Sequence, residues 1–427
     1  MKTFRTATLG CKVNQYETRE IEELLERGGL ACAAEGAAAD LVVVNTCIVT
    51  AEAARQSRQA VRRLARENPG ARLVVTGCYA TGPERGDLEA IDGIALVAGD
   101  KDDLQRRLAQ ELGLDADSLP RGISRFAGHT RAWVKIQDGC DQFCTYCIVP
   151  HARPKLTSRP AGEVVDEVRR LCASGHREVV LSGIHLGRYG EDLGLPGALP
   201  ELVERLAGLG QLGRVRLSSI EAPEVTGALL DVMAAHRDRV CPHLHLPLQS
   251  GDDGVLRAMG RPYTAAEFLE RVARARDLVP HLALTGDVIA GFPGESDAAL
   301  ERTCEVVLRA AFSRLHVFPY SPRAGTPAAE MADQVPAGEK RCRAERLRQL
   351  GRELATEFAA RLVGRRVTVL VEQVTGNAGG AHAEGFDEHY VRTHVALAAG
   401  AAARRGDLLA VRADASDGGT LVGRPAP

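Results

Sequence analysis

Apolar runs and helical spacings alternate along the first 115 residues. Arg5-Thr6-Ala7-Thr8-Leu9 predicts a strand, and Glu17–Arg27 sets Ile21, Leu24 and Leu25 on one face of a helix. Leu41-Val42-Val43-Val44 has no polar alternation, the mark of a strand covered on both faces, and the polar-faced helix Ala51–Arg66 follows. Arg72-Leu73-Val74-Val75-Thr76 and Ile94-Ala95-Leu96-Val97 repeat the strand pattern. Strand, helix, strand, helix predicts a parallel α/β sheet with helices on both faces. Residues 116–130 lose all periodicity and read as a linker.

From about residue 131 to 335, six strand candidates recur at Ala132–Gln137, Glu178–Ser182, Arg214–Ser218, His243–Leu248, Ala283–Ile289 and Arg314–Tyr320. Helical stretches such as Glu163–Ala173 and Ala265–Leu278 separate them. Six such units are too few for a closed eight-stranded barrel and predict an open, partial (β/α)6 barrel, with its active site at the C-terminal strand ends. A long helix is expected over 337–363. After it the pattern turns β-like, at Val367–Val371, Tyr390–Val395, Leu408–Arg412 and Thr420–Val422, with a turn at Gly376–Gly380, and predicts a small β-barrel. The expected domains are therefore 1–115, 126–360 and 364–427, consistent with the limit of about 250–300 residues on a single core.

Composition narrows the function classes. With 45% apolar and 26% charged residues, the chain is neither disordered nor fibrous. No apolar run approaches the roughly 18 residues of a membrane span, and Met1-Lys2-Thr3-Phe4-Arg5 leads straight into a patterned segment with no signal-peptide region. A formal net charge of −2 excludes a polycation, so any nucleic-acid contact must come from local patches. Two helices supply them: Glu339–Arg366 carries nine basic and four acidic side chains, and Ala51–Arg66 five arginines against Glu52. The residues from Arg365 onward hold seven arginines and seven acids, so the terminal β module is neutral. Eleven cysteines, an odd number in a long chain without an export signal, fit a reducing cytoplasm, where clustered cysteines mean metal or catalysis.

The densest cysteine cluster is Cys140-Asp141-Gln142-Phe143-Cys144-Thr145-Tyr146-Cys147, a C-x3-C-x2-C spacing just after the first barrel strand. Three thiolates in one loop can hold three irons of a 4Fe–4S cube and leave the fourth open to a chelating ligand. A zinc site would want a fourth ligand, which His151 could supply, but a zinc knuckle needs no barrel around it.

A second set is independent. Cys11, Cys47 and Cys78 close Thr8-Leu9-Gly10-Cys11, Val44-Asn45-Thr46-Cys47 and Val75-Thr76-Gly77-Cys78, each directly after a predicted parallel strand. Ligands of open α/β sheets gather at the carboxyl ends of strands, so three neighbouring strands would bring three thiols together. Each could instead be a small buried hydrophobe, but three of three at strand ends with polar or glycine neighbours favours a second cluster. Cys32, Cys172, Cys241, Cys304 and Cys342 share no pattern and read as core or incidental.

C-x3-C-x2-C with an aromatic before its last cysteine, opening a partial barrel, resembles the radical S-adenosylmethionine (SAM) superfamily. The addition of a second three-cysteine set narrows the resemblance to the methylthiotransferases. Thr8-Leu9-Gly10-Cys11-Lys12-Val13-Asn14-Gln15-Tyr16-Glu17 is similar to the opening of the branch acting on N6-threonylcarbamoyladenosine in tRNA. So are Lys135–Cys140, Leu246-Pro247-Leu248-Gln249-Ser250-Gly251 and His316-Val317-Phe318-Pro319-Tyr320-Ser321. One position departs from the family pattern: Pro154 follows Arg153 where a glycine is expected.

The resemblance implies a cytoplasmic enzyme that methylthiolates C2 of N6-threonylcarbamoyladenosine at position 37 of tRNA, with two 4Fe–4S clusters, SAM and a terminal TRAM-like module. It implies that the Cys140, Cys144, Cys147 cluster cleaves SAM to a 5′-deoxyadenosyl radical, while the Cys11, Cys47, Cys78 cluster carries the sulfur. It places the adenine of SAM beside Tyr146, and the SAM amino group near Ser182 and Gly183 at the end of the second barrel strand, although the usual acidic residue is absent there. Glu221, Gln249 and Asp287, at or near later strand ends, are further candidates for holding SAM. His243, His245 and His316 lie within strands, where a histidine is more often packed than catalytic, and are left unassigned. The implied partners are tRNA, a low-potential flavodoxin- or ferredoxin-like electron donor and a sulfur source, with no membrane. The same chemistry on isopentenyladenosine or on a ribosomal-protein aspartate, and a non-catalytic iron–sulfur RNA-binding redox sensor, remain as alternatives.

Overall fold

The computed structural model describes residues 1–115, 118–377, 380–398 and 403–426. The chain folds into two compact units. The first comprises Met1–Ser124, Gln137–Thr157 and Ser321–Glu330; the second comprises Arg125–Ile136, Ser158–Tyr320 and Met331–Pro427. The segment Gln137–Thr157, which holds the C-x3-C-x2-C motif, thus belongs to the unit built on the N-terminal sheet.

That sheet is wholly parallel, in the order Ala31–Cys32, Thr3–Thr8, Leu41–Thr46, Arg72–Gly77, Ile94–Val97. Strand alternation divides the apolar run at 41–44 between two cores. Val42 and Val44 pack with Val75 against Ala54, Val61 and Leu64 of the helix Ala51–Glu67. Leu41 and Val43 pack with Phe4 and Val74 against Ile21, Leu24 and Leu25 of the helix Lys12–Arg27, and against Leu104 and Leu108 of Lys101–Glu111. Ile148 and Ala152 join the first of these cores and anchor the cysteine-rich segment to the sheet.

The second unit contains the open barrel. Arg131–Lys135, Glu178–Ser182 and Arg214–Leu217 form one parallel sheet; His243–His245, Ala283–Ala290 and Arg314–Pro319 form another. Single bridges at Val215–Val240 and Ser219–His245 join them. The strand expected to run to Leu248 stops at His245, and Pro247, which has no backbone N–H, follows two residues later.

The helix Ala337–Leu362 leads to a closed barrel of Arg366–Asn377, Gly380–Phe386, Arg392–Leu397, Thr420–Pro425 and Leu408–Asp417. The expected turn at Gly376–Gly380 is corrected in part: Gly376 and Asn377 end one strand and Gly380 begins the next, while residues 378 and 379 lie outside the described residues, as do 116 and 117 of the expected linker. This barrel shares a core with the larger one. Phe358, Ala359 and Leu362 pack together with Ala283, Val391, Ala413 and Leu421.

A buried ion network reinforces that junction. Glu178, fully buried, receives Arg214 Nε at 2.6 Å and Arg216 Nε at 2.9 Å, with Arg131 Nε at 3.4 Å. The remaining guanidinium donors of Arg214 go to the carbonyls of Thr368 and Phe386, and those of Arg216 to Asp387 and Glu388. Burial alone would raise the Glu178 pKa, but Arg214, Arg216 and Arg131 outweigh it and hold the carboxyl well below the ordinary range.

Candidate functional site

The strand-end thiols lie where the pattern placed them. The strands 3–8, 41–46 and 72–77 are neighbours in the sheet, and Cys11, Cys47 and Cys78 follow their carboxyl ends. Two glycines make the turns. Gly10 has φ +106°, and a Cβ there would come within 2.9 Å of Cys47 Cβ. Gly77 has φ +97°, and a Cβ there would collide with the Thr46 carbonyl.

Asn14, fully buried in the first turn of the helix Lys12–Arg27, organises the three strand ends. Its Nδ2 donates to the carbonyls of Leu9 at 2.9 Å and Thr46 at 3.0 Å. Its Oδ1 faces Cys11 Sγ at 3.8 Å and Cys78 Sγ at 3.9 Å. Burial pushes the Cys47 thiol up to about 11, so a metal binding there must displace a proton.

Arg153 enters the same site from the cysteine-rich segment. Its buried guanidinium places Nε 3.1 Å from Cys78 Sγ and Nη2 3.1 Å from Asn14 Oδ1. Glu17 accepts from it at 2.8 and 3.0 Å, and Asp138 at 2.6 and 2.7 Å. Lys101 also pairs with Glu17. Burial works against the charge of Arg153, but Glu17, Asp138 and Cys78 outweigh it and raise its pKa well above the ordinary value. Burial lowers the pKa of Lys101, and Arg153 lowers it further. Three thiols beside a fixed cation suit an anionic thiolate-ligated cluster, because the cation offsets the charge of the ligands.

The Cys140–Cys147 loop belongs to the same unit. Gly139, at φ +80°, leaves no room for a Cβ against the Lys155 carbonyl, and the Cys140 amide donates to the Arg153 carbonyl at 3.0 Å. The Cys147 amide donates to the Cys144 carbonyl at 2.9 Å, and Phe143 holds a left-handed φ of +47°. Cys144 is buried, while Cys140, Tyr146 and Cys147 are half-buried. This donor set fits a cluster held by three thiolates. His151, the candidate fourth ligand for zinc, is exposed and lies edge-on to Phe143, ring centroids 5.6 Å apart.

The other candidates lie in the barrel. Ser182 closes its strand, buried, with Gly183 half-buried beside it. Gln249 is half-buried and held at φ +66°, a conformation that non-glycine residues adopt mostly at turns and functional sites. Glu221 pairs with Arg261 and caps the turn Ala222–Glu224. Asp287 accepts from His245 Nε2 and His316 Nδ1, each at 3.3 Å. Burial raises the Asp287 pKa, but its bonds to the two histidines outweigh that and hold it well below the ordinary range. Sequence reasoning missed the roles of Asn14, Glu17, Lys101 and Arg153, and left His245 and His316 unassigned. Asn14 and Glu17 stand inside the motif around Cys11, which was the available signal.

Comparison with known proteins bears on both units. Residues 134–307 match the model of the Radical SAM superfamily, and residues 3–99 match the Uncharacterized protein family UPF0004. The chain is 40% identical, over 87% of its length and 85% of the relative's, to the threonylcarbamoyladenosine tRNA methylthiotransferase MtaB of Bacillus subtilis. It is 34% identical to the protein of that name from Thermotoga maritima, covering 92% and 91% of the two chains. It is 35% identical to a tRNA-2-methylthio-N(6)-dimethylallyladenosine synthase of Frankia alni, over 100% of this chain and 87% of that one. Among solved structures, the radical SAM methyltransferase TsrM of Kitasatospora setae shares the fold at a TM-score of 0.55 and 16% identity, over 77% and 75% of the two chains. Among the described residues no helix is long and apolar enough to cross a membrane.

Proposed function

This chain belongs to the radical SAM tRNA methylthiotransferase family, and from that premise we propose that it methylthiolates C2 of N6-threonylcarbamoyladenosine at position 37 of tRNA. Its cofactors are SAM and 4Fe–4S clusters. In our reading there are two clusters, one held by Cys140, Cys144 and Cys147 and the other by Cys11, Cys47 and Cys78. When bound, they and SAM supply a carbon radical able to remove hydrogen from an unactivated aromatic carbon, and the sulfur that replaces it. The single observation that best supports the reading is the convergence of Cys11 and Cys78 on Asn14 Oδ1, with Arg153 against Cys78 and Cys47 at the end of the strand between them.

The chain's own residues bind, orient and exclude water. Arg153, Glu17 and Lys101 set the charge around the strand-end thiols, and Asn14 fixes their spacing. Tyr146, Ser182, Gly183 and Gln249 are assigned to SAM. Glu221 and Asp287, both already paired with basic side chains, act in this reading by fixing those partners. The basic helices 51–67 and 337–362 contact RNA phosphate, with Arg62, Arg63, Arg341 and Arg361 exposed for it. A flavodoxin- or ferredoxin-like protein supplies electrons, and a separate donor replenishes sulfur.

The 35% identity to a dimethylallyladenosine synthase supports a second reading, the same chemistry on that base. Nucleoside analysis of tRNA from a deletion strain distinguishes the two. Loss of the 2-methylthio derivative of threonylcarbamoyladenosine, restored by the gene, is the expected result. Loss of the 2-methylthio dimethylallyl nucleoside instead would establish the second reading.

A further inference from the structure

We propose that His245, Asp287 and His316 form the subsite that receives the polar N6 substituent of the substrate adenosine and rejects a hydrocarbon one. The proposal rests on the reading of the enzyme as acting on threonylcarbamoyladenosine. That substituent carries a carboxylate, a hydroxyl and a urea, whereas the dimethylallyl group of the rival substrate has no hydrogen-bonding atom.

The three side chains come from three adjacent parallel strands, with Asp287 directly opposite His316 in register and His245 opposite Thr285. On the strand Ala283–Ala290, Asp287 shares one face with Thr285. Leu284, Gly286 and Val288 are buried, and a Cβ at Gly286 would come within 2.7 Å of the Phe312 ring on the helix-covered side. Thr285 and Asp287 therefore point the other way, into the concave interior of the open barrel.

There they form a hydrogen-bonded row. Thr285 Oγ1 lies 2.9 Å from His245 Nδ1 and 3.0 Å from His243 Nε2. His245 Nε2 meets one oxygen of Asp287, and His316 Nδ1 meets the other. Side-chain exposure rises along the row from 13% at His245 through 26% at Asp287 to 41% at His316. The row thus begins in the barrel wall and ends in open space. With Nδ1 committed to Asp287, the Nε2 of His316 is the atom left to meet a ligand, in a ring orientation that Asp287 fixes.

The row also adjoins the residue assigned to SAM. The amides of Gln249 and Leu248 both donate to the Asp287 backbone carbonyl, at 2.8 and 3.1 Å. A base presented to the cofactor would therefore have its substituent within reach of His316. A site built to hydrogen-bond a substituent discriminates strongly against an analogue lacking it, because the polar groups would be left desolvated and unpaired.

The test uses the full-length holoprotein, reconstituted without oxygen. Three anticodon stem–loop RNAs differ only at N6 of the adenosine beside the anticodon: unmodified, threonylcarbamoyl and dimethylallyl. Binding is measured without reductant, so the readout does not depend on turnover. The native protein is expected to bind the threonylcarbamoyl RNA about tenfold tighter than the dimethylallyl RNA. His316→Phe is expected to bring that ratio near one, and His316→Gln, which keeps a hydrogen-bonding side chain, to retain part of it. A native preference that persists in both variants would overturn the assignment, as would equal native affinities for the three RNAs. If His316→Phe does not fold, the His316→Gln ratio alone decides, an unchanged value counting against the site. Zinc bound at one equivalent by the native protein and lost in His316→Gln would overturn it too, by marking a metal centre. Failure of the underlying reading looks different: the native protein would then bind and methylthiolate the dimethylallyl RNA in preference.

Discussion

The guanidinium Nε of Arg153 lies 3.1 Å from the Sγ of Cys78, so the segment bearing Cys140, Cys144 and Cys147 also supplies a buried cation to the strand-end thiols. The backbone of the same residue serves the other set, since its carbonyl accepts the Cys140 amide. Removing this charge takes the guanidinium away from buried Glu17 and leaves Lys101 facing it. Arg153→Met is therefore expected to cost about 3 kcal/mol of unfolding free energy, the scale for breaking a buried ion pair on one side. Urea denaturation of the metal-free protein is the measurement; an unchanged midpoint would mean that the network contributes nothing to stability.

The two thiol sets should be separable. Replacing Cys140, Cys144 and Cys147 by Ala is expected to remove about half the iron, because each cluster is held by its own ligands, and to abolish reductive cleavage of SAM. Replacing Cys11, Cys47 and Cys78 by Ala should leave that cleavage measurable while ending methylthio transfer. Iron analysis and quantification of 5′-deoxyadenosine read both. Full product formation by the second variant would reduce the strand-end thiols to core residues.

Gly77→Ala tests the turn that delivers Cys78. At φ +97°, with the Thr46 carbonyl in the way of any Cβ, the substitution should cost about 1–3 kcal/mol and displace the thiol. In the Cys140, Cys144, Cys147→Ala background, iron retained at the remaining site is expected to fall. Gly70→Ala, at φ +83° but with nothing near the added Cβ, is the control for backbone strain alone and should keep its iron.

The sheet of the first unit was readable because Val42–Val44 and Val74–Val75 are apolar without interruption and β-branched. The edge strand Ala31–Cys32 was not, since its two residues are exposed and carry no period. The strand Gly380–Phe386 was missed for a related reason. Its Gly-Ala-His-Ala-Glu-Gly-Phe sequence lacks β-branched residues, and closure of the barrel rather than local propensity makes it a strand. Helix Lys12–Arg27 begins five residues before the apolar spacing announces it, because Cys11 at its N-cap makes no capping side-chain bond and Asn14 and Glu17, polar yet buried, interrupt the apolar pattern of its first turns. That Cys11, Cys47 and Cys78 follow neighbouring strand ends was legible from the apolar runs alone. The charges that serve them were not, because Arg153 and Glu17 stand 136 residues apart and only the fold brings them together.

Glu178→Gln should be among the most destabilising single substitutions in the second unit. It leaves Arg131, Arg214 and Arg216 without their shared counter-charge, a loss of about 3–5 kcal/mol. Because the folded carboxyl titrates well below its unfolded value, this contribution is fully present above about pH 5 and disappears only as the pH falls through the folded pKa. Denaturation series at pH 7, 5 and 3 check both points. A native protein that loses the difference from Glu178→Gln already at pH 5 would contradict the depressed titration.

Glu178 opens its strand and Ser182 closes it, so the arginine junction and the end assigned to SAM lie at opposite ends of the same five-residue rod, about 13 Å apart. The terminal barrel is held at the first end by a shared core and by carbonyl bonds from Arg214 and Arg216. An RNA held by that barrel would therefore meet the opposite end across a fixed gauge. Only an RNA whose own shape spans the gauge would bring a base to the working end, so the ruler that selects among RNAs would be built into the framework of the enzyme rather than into any contact with a base.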